Sequence, residues 1–203
     1  RTKDTDDVDF STGSVGLGVG ATLFGAMARD YVHHHGMAEG RPNGRLVALM
    51  GDAELDEGNV FEALLEGWKH DVRNLWWVID YNRQSLDGVV HDYLFQRIKD
   101  FFGTVGWNVV ELKYGKLQEA AFALPGGDAL RKWIDECPNQ LYAALTFQGA
   151  DAWRTHLKSD IGRVKGVKAL LDDHDDDRLQ RLMTNLGGHD MAATLEAFAD
   201  VGD

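Results

Sequence analysis

The sequence is poor in cysteine, in proline and in positive charge. Cys137 is the only cysteine among 203 residues, so no intrachain disulfide can form, and a reducing compartment, the cytoplasm, is expected. The 21 basic and 33 acidic residues give a net charge of −12, which argues against a nucleic-acid or anionic-membrane partner. No apolar run approaches the roughly 20 residues that a membrane span needs. With three prolines and 23 glycines, the chain is expected to consist of regular elements joined by glycine-rich turns.

Two apolar runs of strand length enclose a helical stripe. Residues 46–50 and 75–79 are unbroken apolar runs, and the apolar positions between 60 and 68 recur at helical spacing behind Asp56, a good capping residue. This order is that of a parallel βαβ unit, and an unbroken apolar run suits a strand buried on both faces. Residues 107–112 have the pattern of a third strand. The sequence therefore predicts an α/β fold with a doubly wound, mostly parallel sheet flanked by helices.

The remaining segments are predicted to be helical. A glycine-rich loop, residues 11–20, opens onto a predicted helix over 21–35, and the sequence from about 150 onward is helical and charged. Further helices are predicted over residues 94–102, 116–123 and 127–137. In the absence of a repeat or a clear linker, residues 1–203 are predicted to form a single domain with a mainly helical extension over 150–203. Because the chain begins with Arg1 and shows no signal-peptide pattern, it is expected to be a piece of a longer protein.

Polar residues follow both predicted strands. Asp52 comes directly after the first strand and Asn82 follows the second, so in a parallel sheet both side chains emerge at the same edge. Carboxylate and amide oxygens are hard ligands that suit Mg²⁺ or Ca²⁺, and Gly51 allows close backbone approach to an anion. The simpler alternative is that Gly51 and Asp52 form a turn while Asn82 bonds its own backbone. The pattern alone leaves both interpretations open.

Three other patterns are not predicted to be sites. Residues 16–21 fit a dinucleotide-binding fingerprint only loosely, since no apolar strand precedes them. The histidines at 33–35 are adjacent on a predicted helix and face three directions, which favours surface histidines over metal ligands. The acidic run at 172–177 is typical of a solvated helix end.

The residues that follow the two strands resemble a known motif. Residues 51–57 and 80–88 are similar to the thiamine diphosphate motif of transketolase-like enzymes, which is usually Gly-Asp-Gly, then a spacer and a closing asparagine. Residues 12–18 resemble the glycine loop upstream of that motif. Within this superfamily, residues 103–109 and 185–190 resemble segments of the homodimeric pyruvate dehydrogenase type, the decarboxylating component of a 2-oxo acid dehydrogenase complex.

The resemblance implies a set of cofactor contacts. The Mg²⁺ ligands would be Asp52, Asn82 and the backbone carbonyl of Gln84. The residues that would contact thiamine diphosphate are Gly51, Asp52, Ala53, Glu54, Asn82, Ser14, Gly16 and Leu17. Backbone groups of Ala53 and Glu54 would lie against the diphosphate. Ala53 stands where the family usually has glycine, and this costs little at negative φ but about 1–2 kcal/mol of strain at positive φ.

The resemblance also implies half of an active site. Family enzymes hold the cofactor between two domains, and the activating glutamate comes from the second, pyrimidine-binding domain. No catalytic residue is therefore expected in this chain, and the chain alone is predicted to be inactive. The expected function is to bind the Mg²⁺–diphosphate end of thiamine diphosphate in a homodimeric enzyme that decarboxylates a 2-oxo acid.

Three alternatives remain open at this point. The first is a transketolase, a transferase that moves a two-carbon ketol unit between sugars. The second is a non-catalytic homologue that assembles with a partner chain, with Ala53 as a mark of lost cofactor binding. The third is an unrelated Mg²⁺–phosphate enzyme on a doubly wound fold, which would leave the glycine loop unexplained.

Overall fold

A computed structural model of the protein describes residues 7–42, 44–81, 84–85, 88–89 and 93–201. The chain divides into two compact units, Arg1–Val109 and Val110–Asp203. The single domain over residues 1–203 stays a prediction. Among the described residues, no helix combines the length and the apolarity that crossing a bilayer requires.

The first unit contains a parallel strand pair, a short hairpin and helices. Its elements are α1 (Leu17–His34), β1 (Leu46–Gly51), a 3₁₀ helix (Asp52–Asp56), α2 (Gly58–Lys69), β2 (Leu75–Asp80), β3 (Gln84–Ser85), β4 (Gly88–Val89) and α3 (Tyr93–Thr104). The strands β1 and β2 are parallel, whereas β3 and β4 are antiparallel. The two apolar runs of the sequence therefore form the strands predicted from them.

One face of the parallel pair carries the core of this unit. Because side chains alternate along a strand, Ala48 and Met50 point to the same side of β1, and both are buried. The helices α1, α2 and α3 supply Val19, Leu64 and Phe102 to the cluster around Met50. A parallel pair flanked by helices confirms the α/β class.

The opposite face of β1 is open in the described part of the chain. Val47 is 52% exposed and Leu49 is 79% exposed. Their neighbours across the ladder are Trp76 and Val78, and the guanidinium of Arg45 lies 3.9 Å from the Trp76 ring centroid. The prediction that this strand is buried on both faces is therefore wrong for the described residues, because the helices of the unit all pack on the other face.

The second unit is helical. Its elements are α4 (Lys116–Phe122), α5 (Gly127–Glu136), α6 (Asn139–Gln148), α7 (Ala150–Ile161), α8 (Val167–Asp172), α9 (Asp176–Met183), a 3₁₀ helix (Gly187–His189) and α10 (Met191–Asp200). The fully buried Trp153 lies in its core with Leu130, Leu157 and Leu179. The described residues from 150 to 201 are mainly helical, and helices also form before residue 150, as predicted for residues 116–123 and 127–137.

The predicted third strand, residues 107–112, does not form. This segment has no regular structure, and the backbone just after it bonds to another part of the second unit instead. Tyr114 forms an isolated antiparallel bridge with Leu186, and the carbonyl of Lys113 accepts the N–H of Gly187 at 3.1 Å. The apolar residues of the segment have the pattern of a strand, but none of the described strands pairs with it.

Candidate functional site

The glycine-rich loop forms a tight entry into α1. Gly16 is the N-cap residue and has a φ of 77°, a left-handed conformation that glycine adopts without strain. The Ser14 carbonyl accepts the N–H of Leu17 at 3.3 Å, and the Ser14 N–H donates to the Thr12 hydroxyl at 3.1 Å. The helix therefore begins at Leu17, earlier than the predicted residue 21.

The motif after β1 forms a 3₁₀ helix rather than an open turn. Asp52 is the first residue of this helix, immediately after Gly51 ends the strand, and the side chain of Leu55 is buried in the core beneath. The prediction that Asp56 caps α2 is wrong. Asp56 belongs to the 3₁₀ helix, so Glu57 takes the N-cap position of α2, without a side-chain cap bond.

The carboxylate of Glu54 joins the glycine loop to this motif. Its Oε2 accepts the N–H of Gly16 at 2.9 Å, and its Oε1 accepts the N–H of Gly51 at 3.3 Å. The resemblance implies a role only for the backbone of Glu54, and the contacts of its side chain were not predicted. A glutamate three residues after an N-cap is a known capping pattern and could have indicated the Gly51 bond. No sequence signal identifies Gly16 as the second donor.

The ends of both parallel strands lie at the same edge. Gly51 is paired with Asp80 in the last position of the ladder, which places Asp52 and the residues after β2 at that edge. The strand β3, which begins at Gln84, lies against the 3₁₀ helix that begins at Asp52. Asn82 lies outside the described residues.

The donors at this edge fit a metal–diphosphate group. In the described part of the chain, no group of three histidine, cysteine, aspartate or glutamate side chains could hold a metal ion. A site here would therefore combine the Asp52 carboxylate with amide and carbonyl oxygens, such as that of Gln84, which is a donor set suited to Mg²⁺ with phosphate oxygens and water.

The local charge disfavours binding of an anion without a cation. Four of the six residues from 52 to 57 are acidic, and the sequence has no lysine or arginine between Arg45 and Lys69. A diphosphate beside this segment would meet like charges, and a divalent ion would neutralise part of them. The glycine loop has no basic residue either and can offer only backbone N–H groups and the hydroxyl groups of its serine and threonine side chains.

Ala53 occupies its position without backbone strain. It lies within the 3₁₀ helix, and Asp71 is the one non-glycine residue with positive φ in the ranges that the structure describes. The φ of Ala53 is not positive, so alanine costs little backbone strain at this motif position.

The other patterns singled out in the sequence have structural explanations. His34 and His35 are exposed, and each places Nδ1 2.8 Å from a backbone oxygen one helical turn earlier. In the acidic run, the Asp175 carboxylate accepts the N–H of Arg178 and caps α9, while Asp176 forms an ion pair with Arg154 at 2.9 Å. These residues stabilise helices.

The stretch at 185–190 is a junction within the second unit. One carboxylate oxygen of Asp190 caps α10, and the other accepts the N–H of Lys116 at 2.9 Å and a side-chain N–H of Asn185 at 3.1 Å. The Asn185 side chain in turn accepts the N–H of Leu117 at 2.8 Å. The hydrogen bonds from Lys116, Asn185 and Ala193 hold the pKa of Asp190 below its usual value.

A polar cleft of about 550 Å³ also lies in the second unit, lined in part by Tyr114, Arg131 and Asp135. The Tyr114 hydroxyl donates to Asp135, and Lys113 lies 2.6 Å from the same carboxylate. Burial and the Asp135 contact raise the pKa of Tyr114. Burial alone would raise the pKa of Asp135, but the bonds from Lys113 and Tyr114 outweigh it and lower that pKa. Within the cleft, Lys113 pairs with Asp135, and Lys116 pairs with Glu119 and Glu196.

Comparison with known proteins identifies the glycine loop and the motif as parts of one domain. Residues 1–124 match the family model described as transketolase, thiamine diphosphate binding domain. The pyruvate dehydrogenase E1 component of Cupriavidus necator is 30% identical over 183 residues, which is 89% of this chain and 20% of that protein. The E1 component of Mycolicibacterium smegmatis is 28% identical over 192 residues, or 94% of this chain, and that of Escherichia coli K12 is 27% identical over 191 residues, or 93%.

The chain spans about a fifth of the length of these relatives. The matched family region holds the whole of the edge described above, from the loop at Gly16 through the motif at Asp52 to β3. By this match over more than half its length, the chain belongs to the transketolase family of thiamine diphosphate-binding domains.

Proposed function

We propose that this chain holds the Mg²⁺–diphosphate end of thiamine diphosphate in an enzyme that decarboxylates a 2-oxo acid. The observation that carries the proposal is the Glu54 carboxylate, which bonds the glycine loop at Gly16 and the strand end at Gly51 next to Asp52. The relatives named pyruvate dehydrogenase E1 component, which match about nine-tenths of the chain, favour a 2-oxo acid as the substrate.

In this proposal each residue of the edge has a separate task. Asp52, Asn82 and the backbone carbonyl of Gln84 hold Mg²⁺, which in turn offsets the negative charge around the 3₁₀ helix. Backbone groups of Ala53 and Glu54 lie against the phosphates, while Ser14, Gly16 and Leu17 of the loop and Gly51 of the motif contact the cofactor around them. The N–H groups of Gly16 and Gly51 donate to the Glu54 carboxylate and not to the phosphates. When bound, thiamine diphosphate supplies the nucleophilic thiazolium carbon and the electron sink that decarboxylation requires.

The complete enzyme needs a second, pyrimidine-binding domain or subunit, which supplies the activating glutamate. The chain alone is therefore proposed to be inactive, and the assembled enzyme to be a homodimer in the cytoplasm.

Transfer of a two-carbon ketol unit is the second candidate function, favoured by the transketolase name of the matched family. A non-catalytic module that assembles with a partner chain is less well supported, since Ala53 is unstrained and Asp52 is retained at the strand end.

Calorimetric titration tests the proposal. Thiamine diphosphate is titrated into the chain with Mg²⁺, with Mg²⁺ removed by a chelator, and with the variants Asp52→Ala and Asp56→Ala. We expect binding that is lost without Mg²⁺ and in Asp52→Ala, but is kept in Asp56→Ala, because Asp56 is exposed at the far end of the same 3₁₀ helix. Equal losses in the two variants, or binding that is indifferent to Mg²⁺, would contradict the metal assignment.

A further inference from the structure

Two segments distant in sequence meet on a single side chain in the first unit. The two carboxylate oxygens of Glu54 accept one backbone N–H each, from Gly16 at 2.9 Å and from Gly51 at 3.3 Å. The first donor precedes α1 and the second ends β1. The side chain therefore fixes the separation between the glycine loop and the strand end.

The loop has little freedom to move at this point. Gly16 is buried, and a Cβ atom placed on it would lie 2.9 Å from the Glu57 Cβ and 2.6 Å from the Asn59 Oδ1. The loop thus lies against the start of α2 on one side and is bonded to Glu54 on the other. A carboxylate at the start of α1 is also favourably placed against the positive end of the helix dipole.

We propose that Glu54 is a positioning residue that holds the glycine loop and the Asp52 strand end at the spacing a metal-bound diphosphate requires. This inference rests on the proposed function, because it gives Glu54 a role toward the same cofactor. The carboxylate acts through the two glycine N–H groups and does not itself contact phosphate or metal. With both oxygens engaged, the loop and the metal-binding edge are arranged before the ligand arrives, and less ordering is needed on binding.

The charge and the hydrogen bonds of Glu54 have opposite effects on an anionic ligand. Its negative charge disfavours a phosphate nearby, whereas its two hydrogen bonds favour the loop conformation. The variant Glu54→Gln keeps the size of the side chain, removes the charge and turns one acceptor into an NH₂ group that cannot accept an N–H. If repulsion dominates, Glu54→Gln binds more tightly; if positioning dominates, it binds more weakly.

The neighbouring Glu57 supplies the matched control. It is half-buried at the N-cap of α2, close to Gly16, and makes no side-chain cap bond to that helix. Glu57→Gln therefore removes the same charge from the same surroundings without removing the two glycine bonds. We expect Glu54→Gln to weaken binding of Mg²⁺–thiamine diphosphate roughly tenfold, the equivalent of one hydrogen bond to a charged acceptor, and Glu57→Gln to leave it unchanged or tighter.

The second readout does not use the cofactor. Amide hydrogen exchange, measured by NMR on the chain alone, reports the protection of the Gly16 and Gly51 N–H groups. In Glu54→Gln we expect faster exchange at one or both, while the amides of the α1 interior and the midpoint of urea unfolding stay close to the parent values. A merely structural role would instead speed exchange throughout the unit and lower the unfolding midpoint.

The outcomes separate this inference from the proposed function. Faster amide exchange confined to Gly16 and Gly51, together with weaker binding of Mg²⁺–thiamine diphosphate, supports the positioning role of Glu54. Unchanged exchange at Gly16 and Gly51, or equal effects of Glu54→Gln and Glu57→Gln on binding, would overturn it. A third result is that the parent chain binds no Mg²⁺–thiamine diphosphate while Glu54→Gln still speeds exchange of the Gly16 and Gly51 amides. In that case the proposed function of the isolated chain fails, and the link that Glu54 makes between the loop and the strand end stands.

Discussion

A Cβ atom on Gly16 would lie 2.6 Å from the Oδ1 of Asn59, closer than a Cβ atom approaches an atom to which it is not bonded. The same residue has a φ of 77°, at which an L-amino acid is strained by about 1–2 kcal/mol. We therefore expect Gly16→Ala to lower the free energy of unfolding by at least this strain and to weaken cofactor binding. Urea unfolding followed by circular dichroism measures the first effect, and calorimetry measures the second.

Gly20 offers a control within the same helix. It lies inside α1, its φ is not positive, and a Cβ atom there would meet no other atom within 4 Å. Because alanine is a better helix residue than glycine, Gly20→Ala should raise the unfolding free energy by about 0.5–1 kcal/mol. A loss of stability in Gly20→Ala as large as that in Gly16→Ala would show that the helix, and not the left-handed loop, is the sensitive feature.

Replacing Ala53 with the glycine usual in the family should cost stability without improving binding. The residue lies in a 3₁₀ helix and is not among the positive-φ residues, so glycine relieves no strain there and adds freedom to the unfolded chain. We expect Ala53→Gly to lower the unfolding free energy by about 0.5–1 kcal/mol and to change the affinity for Mg²⁺–thiamine diphosphate less than twofold. Clearly tighter binding would mean that the alanine methyl group crowds the phosphates.

The charge of Asp190 should stabilise the fold in a pH-dependent manner. Hydrogen bonds from Lys116, Asn185 and Ala193 lower the pKa of Asp190 in the folded state. Its contribution is therefore fully present above the unfolded-state pKa of about 3.9 and is lost as the pH falls through the lower folded-state value. We expect the parent chain to be more stable than Asp190→Asn at pH 7, and the difference to shrink below about pH 4.

Asparagine keeps one oxygen to cap α10 but turns the other, which accepts from Lys116 and Asn185, into an NH₂ group, so the pH dependence of the stability difference, and not its size at pH 7, reports the charge. The exposed Asp200 at the other end of α10 is the control, because a negative charge near a helix C-terminus is unfavourable. Asp200→Asn should not lower the stability at pH 7. If the difference in unfolding free energy between the parent chain and Asp190→Asn stays constant from pH 7 to pH 3, the ionisation of Asp190 does not contribute to the pH dependence of stability.

The parts of the fold set by local pattern could be predicted from the sequence. The apolar runs at 46–50 and 75–79 form the parallel pair, and the helical stripe between them forms α2, because these elements depend on periodicity. The third predicted strand failed for a different reason. Its residues have strand-like character, but a strand requires a partner, and the carbonyl of Lys113 bonds to Gly187 instead.

The site could be anticipated only in part. The motif identified Asp52 and the edge at which it lies, since parallel strands bring their carboxyl ends together. The motif did not reveal that the Glu54 side chain reaches back to Gly16, because that contact depends on how α1 lies over the sheet. The capping residue of α2 was also misassigned, since the 3₁₀ helix that includes Asp56 is not apparent in the apolar spacing.

The open face of β1 bears on any use of this chain as a stand-alone cofactor sensor. Val47 and Leu49 present apolar side chains to water beside Trp76 and Val78, and such a patch promotes self-association at the concentrations used in a binding assay. Threonine at positions 47 and 49 retains the strand preference while removing apolar surface. Both positions lie on the face away from the Met50 core, so the redesign can improve solubility without altering the packing beneath the strand end at Gly51.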